Sequence, residues 1–182
     1  MDALIGWTGR VGGTLLRARP FDATFRSTDI LTMRGRAFDL VVCAGVRAEK
    51  WKANRDPGAD RADIARLTGV LDTVRIGHLV LISTVDVYPT PADVDEAAAI
   101  DYTATHAYGR HRRELEIFCQ DRFATTIVRL PGLFGPGLRK NAIFDLLHDH
   151  EVERIHPDSA FQFYELNRLW SDVERVRAAK SP

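Results

Sequence analysis

The chain has 182 residues, and its 25 lysine and arginine residues are balanced by 25 aspartate and glutamate residues, which leaves a formal net charge of zero at pH 7. Hydrophobic residues make up 45% of the sequence and charged residues 27%, and this composition excludes collagen-like, coiled-coil and intrinsically disordered proteins. Because positive charge is not in excess, nothing in the composition favours nonspecific binding to nucleic acid, and nucleic acid is not expected as a partner.

The first part of the chain predicts three strands. Residues 3–5 form a short apolar run that stops at Gly6, and the apolar residues that follow, from Val11 to Leu16, have helical spacing. Two further strands are predicted over 21–25 and 38–45. Only about a dozen residues separate them, which is close to the minimum for a crossover helix, so one βα unit is predicted to be missing here.

The rest of the chain alternates helices with strands. We predict an amphipathic helix over 60–74 with Asp60 as its N-cap, and an apolar strand over 79–82. The other predicted elements are a helix over 107–123, a strand over 125–128, a helix over 138–148, a short strand over 152–155 and a helix over 166–178. This alternation predicts an α/β fold with a doubly wound parallel sheet and right-handed crossovers. At this length we expect a single domain over residues 1–182.

Cysteine usage and hydropathy predict the compartment. The two cysteines, Cys43 and Cys119, lie far apart in the sequence and suit a reducing environment. The N-terminus lacks the basic region of a signal peptide, and no apolar run approaches the roughly 18–20 residues of a membrane span. We therefore expect a cytoplasmic protein without membrane association. The spacing of histidine, cysteine and aspartate predicts no metal site.

A glycine-rich segment links the first predicted strand to the first helix. Gly6, Gly9 and Gly12 have GxxGxxG spacing. Glycine is needed where the backbone turns sharply and approaches a pyrophosphate, which then lies on the free N–H groups of the helix. A glycine-rich turn without a ligand has the same pattern. In this context, however, the segment predicts dinucleotide binding by Gly6, Thr8, Gly9, Arg10, Val11 and Gly12.

The end of the second predicted strand indicates which dinucleotide is bound. An acidic residue at this place bonds the ribose hydroxyls of NAD and excludes a 2′-phosphate. Here Arg26 and Ser27 follow the strand, and a guanidinium and a hydroxyl are typical phosphate partners. We therefore predict NADP in preference to NAD, although Arg26 also fits a solvated strand end.

Two further pairs of residues suggest chemistry. Ser83 and Thr84 end a buried strand, where open α/β sheets bind their ligands, but a polar strand end that only caps the sheet looks the same. Tyr108 and Arg112 lie one helical turn apart, and a cation beside a phenol lowers the phenol's pKa towards a range useful in acid–base catalysis. A surface Tyr-Arg pair has the same spacing.

Together these segments resemble the extended short-chain dehydrogenase/reductase superfamily, in its NAD(P)-dependent epimerase/dehydratase branch, over nearly the whole chain. The matching segments are the glycine loop, the small-residue turn at 43–45, the S-[ST]-x-x-V-Y segment at 83–88, Tyr108 as the tyrosine of YxxxK, the R-x-x-x-x-[YF]-G-P loop within 128–137 and, loosely, 161–173. The resemblance implies a Rossmann-like, three-layer α/β/α fold in which 138–182 is a residual substrate-side segment, so the C-terminal substrate lobe is reduced.

The resemblance also implies roles for individual residues. The catalytic candidates are Thr84, Tyr108 and Arg112, the last of which stands where the family has lysine. Further cofactor contacts are implied at Ala44, Gly45, Ser83, Pro131 and Gly132. The substrate-side candidates are Asp86, Leu133, Arg139 and Lys140. Because Val85-Asp86 replaces the Asp-Glu pair of the dehydratases, 4,6-dehydration is not expected.

The sequence thus predicts an NAD(P)H-dependent oxidoreductase that reduces or epimerises a carbonyl or secondary alcohol, with a nucleotide sugar as the expected substrate class. The alternative is a noncatalytic NADP(H)-binding module that senses the cofactor or acts as a scaffold. The short C-terminal segment and the missing lysine favour that alternative. Because family members commonly pair two helices across a dimer interface, a homodimer through 60–74 and 107–123 is a further expectation.

Overall fold

A five-stranded parallel sheet forms the centre of the structure, a computed structural model that describes residues 1–138 and 141–179. Its strands are β1 (Asp2–Ile5), β2 (Ala23–Phe25), β3 (Ala37–Cys43), β4 (Arg75–Thr84) and β5 (Thr125–Leu130). Their order is β2-β1-β3-β4-β5, and all neighbours are parallel. The expected α/β fold with a doubly wound sheet is therefore confirmed.

Helices cover both faces of this sheet. The helices are α1 (Arg10–Ala18), α2 (Lys50–Arg55), α3 (Pro57–Leu71), α4 (Ala107–Arg122), α5 (Ala142–His148) and α6 (Leu169–Ala178). Of these, α1 and α6 pack on one face of the sheet, and α3 and α4 pack on the other. Side chains alternate along each strand, so Val41 and Cys43 of β3 pack in a cluster with α3 and α4, whereas Leu40 and Val42 pack in one with α1 and α6. The sheet is buried on both sides, which explains the continuous apolar runs of its strands.

The connection between β2 and β3 is short, as predicted. It contains one turn of 3-10 helix, Ile30–Met33, in place of an α-helix. The chain passes from β2, on one side of β1, to β3 on the other side. The order of strands therefore reverses at β1 and β3, and such a reversal opens a crevice at the carboxyl ends of the two strands.

The start of α3 corrects one prediction. Asp60 is not the N-cap, because the helix begins at Pro57 and the side chain of Asp56 accepts the backbone N–H of Ala59 at 3.0 Å. Proline suits the first turn of a helix, where its missing N–H needs no partner. Asp60 therefore lies in the first turn of α3, where its carboxylate is available to other residues.

The C-terminal part differs most from the prediction. The strand predicted over 152–155 is wrong, since Val152–Arg154 is a turn of 3-10 helix that follows Glu151 in a left-handed conformation (φ 50°). Two short strands not predicted from the sequence, β6 (Gly132–Phe134) and β7 (Phe163–Glu165), form a separate parallel pair. The helices predicted over 138–148 and 166–178 are shorter in the structure, as α5 and α6. Within the described ranges, no helix combines the length and hydropathy needed to cross a membrane.

Candidate functional site

A cleft of about 530 Å³ opens at the carboxyl ends of β1 and β3. Its walls come from the loop after β1, the end of β2, the turn after β3 and α3. The residues predicted to bind the cofactor that line it are Gly6, Thr8, Gly9, Arg10, Val11, Arg26, Ser27, Ala44 and Gly45. Leu133 of β6, predicted on the substrate side, lines it as well.

Close backbone packing explains two glycines of the loop after β1. A Cβ atom at Gly6, whose φ is +86°, would lie 2.3 Å from the carbonyl oxygen of Ala44, and one at Gly12 would lie 2.1 Å from that of Gly6. The N-cap of α1 is Gly9, which has no side chain to accept hydrogen bonds from the first turn. The first N–H groups of α1 are therefore available to an anion, and the loop fits a pyrophosphate.

The dinucleotide binding predicted from the sequence is expected to be lost when Gly12 is replaced with alanine, because the added Cβ would push the loop away from α1. The matched control is Gly13→Ala, since a Cβ at the neighbouring Gly13 would come no closer than 3.4 Å to the Trp7 carbonyl oxygen. Calorimetric titration of both variants with NADPH and with NADH checks the expectation. Equal binding by both variants and the unaltered chain would contradict it.

Arg10 joins the glycine loop to β6. Its guanidinium donates to the carbonyl oxygens of Leu133 and Gly135 at 3.4 and 3.3 Å. The side chain therefore forms one wall of the cleft while it carries a positive charge close to α1. This contact brings β6, which is more than 120 positions away in the sequence, next to the glycine loop.

Arg26 and Ser27 follow β2 at another part of the cleft. The backbone N–H of Arg26 donates to Asp29 at 2.7 Å, and its guanidinium lies 3.8 Å from the same carboxylate. The Arg26 side chain is about half exposed (51%), so the ion pair leaves it accessible to a ligand.

A second group of polar side chains lies where β4 ends and α4 begins. The Thr84 hydroxyl donates to Asp86 Oδ2 at 3.2 Å and accepts the Asp86 backbone N–H at 3.1 Å. Tyr108, in the first turn of α4, is buried, and its backbone N–H donates to Asn54 of α2 at 3.0 Å. Close packing of α4 on this strand end explains Gly109, where a Cβ would lie 2.0 Å from the Asp86 carbonyl oxygen.

The pKa of Tyr108 is raised, not lowered as the sequence suggested. Burial is the largest cause, and the Asp86 and Asp60 carboxylates add to it, while Arg112 and the Thr84 hydroxyl oppose it. Arg112 does lie beside the phenol, with its guanidinium carbon 3.9 Å from the ring centroid. Its lowering effect on the pKa is smaller than the raising effect of burial.

Arg112 itself is held in a buried cluster. Its guanidinium makes two hydrogen bonds to the Asp60 carboxylate, at 2.5 and 2.8 Å, and one to the backbone carbonyl of Arg47 at 2.7 Å. His111 Nδ1 also lies 2.7 Å from Asp60. These contacts keep the pKa of Asp60 below its usual range despite its burial. Because Asp60 and Arg47 line the cleft, Arg112 links the cleft to Tyr108.

A buried ion-pair network, which the sequence did not reveal, lies behind the strand end. Glu116 of α4 is fully buried and accepts two hydrogen bonds from Arg129 of β5, at 3.0 and 2.9 Å, and one from Arg113 at 2.9 Å. The Ser83 hydroxyl donates to the same carboxylate at 2.5 Å, and Arg129 also donates to the Tyr88 hydroxyl at 2.7 Å. Ser83, expected at the cofactor, thus has its hydroxyl committed to Glu116.

The remaining candidates lie near β6 or outside the described residues. Gly132 begins β6 and packs against Phe163, whose ring a Cβ there would approach to 2.9 Å. Pro131 directly precedes it. Arg139 and Lys140 fall between the two described ranges, 1–138 and 141–179.

No protein-family model matches the sequence, and the comparison with curated proteins gave no match. The fold does match solved structures. A dTDP-glucose 4,6-dehydratase from Streptomyces venezuelae with NAD bound has a TM-score of 0.73 at 14% identity, over 98% of this chain and 72% of that one. A dTDP-4-dehydrorhamnose reductase from Bacillus anthracis in complex with NADP has a TM-score of 0.70 at 15% identity, over 96% and 69%. A UDP-N-acetylglucosamine 4-epimerase from Methanobrevibacter ruminantium has a TM-score of 0.69 at 13% identity, over 93% and 70%. These likenesses confirm the expected fold.

Proposed function

We propose that this chain, which has the fold of nucleotide-sugar reductases, epimerases and dehydratases, is an NAD(P)-dependent oxidoreductase of the extended short-chain dehydrogenase/reductase type. Its proposed substrate is a carbonyl or secondary alcohol on a nucleotide sugar, which it reduces or epimerises. The observation that carries the proposal is the cleft at the strand reversal, where Gly6 and Gly12 keep a backbone surface free of side chains beside the uncapped start of α1.

The residues around the cleft suit the parts of a nicotinamide dinucleotide. The loop from Gly6 to Gly12 would hold the pyrophosphate, and Arg26 with Ser27 would meet the adenosine ribose or its 2′-phosphate. Ala44 and Gly45 would lie beside the adenine. When bound, the dinucleotide supplies the hydride or accepts it.

The proposed acid is Tyr108, which would donate its phenolic proton to the carbonyl oxygen of the substrate during reduction. Thr84 would hydrogen-bond the same oxygen. The raised pKa keeps Tyr108 protonated, the state that donates to a carbonyl oxygen during reduction, and it disfavours the phenolate that would accept a proton from an alcohol in the reverse direction. Arg112 acts as a positioning residue, since its guanidinium packs on the Tyr108 ring and is itself held by Asp60.

Calorimetric titration with NADPH and with NADH tests the proposal. Binding of either dinucleotide supports it, and stronger binding of NADPH supports the proposed preference for NADP. If neither dinucleotide binds, the glycine loop has only an architectural role and the proposed function is wrong.

Replacing Arg26 with alanine is expected to weaken NADPH binding by roughly tenfold and to leave NADH binding unchanged, because one charge-assisted hydrogen bond to the 2′-phosphate is lost. The matched control is Arg34→Ala, since Arg34 is an exposed arginine in the same connection between β2 and β3, directly after the 3-10 turn at Ile30–Met33. Calorimetry of the two variants checks the result. An equal loss for NADPH and NADH would contradict the assignment of Arg26.

One observation favours a noncatalytic NADP(H)-binding module as the second candidate. The guanidinium of Arg112, at the position where the resemblance places a lysine, is committed to Asp60 and to the Arg47 carbonyl. Such a module would bind the dinucleotide without turning over any substrate.

A homodimer through α3 and α4 also stays a proposal, and a measurement of the molecular mass of the protein in solution tests it.

A further inference from the structure

Arg10 is the first residue of α1, and its side chain holds β6 against the glycine loop. Its Nη1 donates to the Leu133 carbonyl oxygen at 3.4 Å, and its Nη2 donates to that of Gly135 at 3.3 Å. Both bonds are longer than the usual length of about 2.9 Å. A guanidinium has five N–H groups, and the Nε–H of Arg10 is buried without an acceptor in the described ranges. Arg10 therefore holds β6 with only part of its donors.

The positive charge of Arg10 is not neutralised by the residues around it. Burial lowers the pKa of its guanidinium, and no carboxylate in residues 1–138 and 141–179 opposes this effect. The first turn of α1 contains no acidic residue, and its N-cap is Gly9. Because the start of a helix carries a partial positive charge of its own, α1 repels a guanidinium at this place. An anion on the glycine loop would relieve the repulsion and attract the guanidinium.

Leu133 extends the contact of Arg10 to the C-terminal part of the fold. Its carbonyl oxygen accepts a second hydrogen bond, from Asn141 Nδ2 at 2.9 Å, and Asn141 caps α5 by accepting the Phe144 N–H at 3.1 Å. In the pair of strands β6 and β7, Leu133 lies opposite Tyr164. Leu133 also lines the cleft. The guanidinium therefore acts on a residue that contacts the cleft, β7 and the start of α5 at once.

We propose that Arg10 is a positioning residue that couples dinucleotide binding to β6, because its guanidinium binds the pyrophosphate on the glycine loop while it keeps its hold on the β6 carbonyls. The inference rests on the proposed function. Arginine suits this task because its planar fork of donors binds two groups in a fixed geometry, whereas a lysine ammonium is a compact charge on a flexible stem. The dinucleotide then fixes the wall that Leu133 forms before the substrate binds.

Hydrogen exchange of the β6 amides tests this coupling in the full chain. Mass spectrometry follows the peptide that contains residues 131–137, with and without saturating NADPH. The experiment is repeated with NADH, because the two dinucleotides have the same pyrophosphate. In the unaltered chain the bound dinucleotide should slow this exchange by at least about fivefold, the lower end of the usual coupling between two sites. Calorimetry of the same samples measures dinucleotide affinity separately.

Substitutions at Arg10 separate its charge from its fork of donors. Arg10→Met should weaken dinucleotide binding roughly tenfold and, at saturation, remove the slowing of β6 exchange. Arg10→Lys keeps the charge, so it should bind the dinucleotide more tightly than Arg10→Met but should also lose the slowing. The matched control is Arg17→Met, because Arg17 lies in the same helix, donates to Thr14 at 2.9 Å and is not among the residues that line the cleft. This control should behave as the unaltered chain does, and circular dichroism checks that each variant is folded.

Three results would overturn the inference and leave the proposed function intact. The first is a dinucleotide that binds without slowing β6 exchange in the unaltered chain. The second is equal slowing in the unaltered chain and in Arg10→Lys, since charge or direct contact would then be sufficient. The third is a loss of slowing in Arg17→Met as large as that in Arg10→Met. If calorimetry shows that neither NADPH nor NADH binds, the proposed function and this inference both fail.

Discussion

Replacing Tyr108 with phenylalanine is expected to lower turnover by roughly 10²- to 10⁴-fold, the range that general acid–base groups contribute, and to leave NADPH binding unchanged. The substitution removes only the phenolic oxygen. The ring that packs under the Arg112 guanidinium, 3.9 Å from its centroid, stays in place. The fold and the cleft should therefore be preserved, because the cleft is lined by other residues.

Oxidation of NADPH with a panel of keto-sugar nucleotides measures this effect, and calorimetry measures cofactor affinity in the same samples. The control is Tyr164→Phe, which removes a hydroxyl that donates to Asp172 at 2.6 Å in the C-terminal segment. A Tyr108→Phe variant as active as the unaltered chain would exclude Tyr108 as the acid. An unaltered chain that binds NADPH but turns over no member of the panel would favour the noncatalytic module.

Replacing Glu116 with alanine is expected to cost about 3–5 kcal/mol of the free energy of unfolding, which corresponds to a fall in Tm of roughly 10 °C for a chain of this size. The Glu116 carboxylate is fully buried and accepts hydrogen bonds from Arg129, Arg113 and Ser83. Its removal leaves the largely buried Arg129 guanidinium without its main counter-charge. Urea and thermal unfolding followed by circular dichroism measure the change.

Glu114 is the matched control because it lies in the same helix and pairs with Arg61 at 2.9 Å, but its side chain is 35% exposed. We expect Glu114→Ala to cost less than about 1 kcal/mol, as is usual for ion pairs near the surface. The double variant Glu116→Leu with Arg129→Met should recover most of the lost stability, since it removes both buried charges. Equal losses for Glu116→Ala and Glu114→Ala would show that the buried network contributes little.

Most of the central sheet and the helices beside it could be predicted because their signals lie close together in the chain. The strands β1, β3 and β4 each contain a continuous apolar run, and the apolar residues of α4 repeat at helical spacing within that helix. The strand β7 gave no such signal, because its three residues, Phe163–Glu165, pair with β6 about 30 positions away. A strand of three residues can be identified only from the strand with which it pairs.

Part of the candidate site could likewise be predicted from local patterns in the sequence. The glycine spacing by itself determined where the proposed phosphate-binding loop would be, because a tight turn at the end of a strand requires residues without a Cβ at fixed positions. The structure shows which backbone contacts leave no room for a Cβ: those between Gly6 and Ala44 and between Gly12 and Gly6. The hydroxyls at the end of β4 and the tyrosine of α4 were likewise visible as local patterns.

The partners of the charged residues were decided only by the tertiary structure. Arg112 was expected to act on Tyr108, yet it is bound by Asp60, 52 positions earlier, and Lys50 reaches Asp86 across 36 positions. Such pairings depend on how α2 and α3 pack against α4, since a charge interacts with whichever group the packing brings within a few ångströms. The sequence by itself determined the sheet and the glycine loop proposed to bind phosphate, because short-range periodicity and glycine geometry encode them, and the spacing of Tyr108 from Arg112 indicated the candidate acid. Packing decided which carboxylate pairs with which cation and how deeply Tyr108 is buried, and that burial is the largest cause of the raised pKa of the tyrosine.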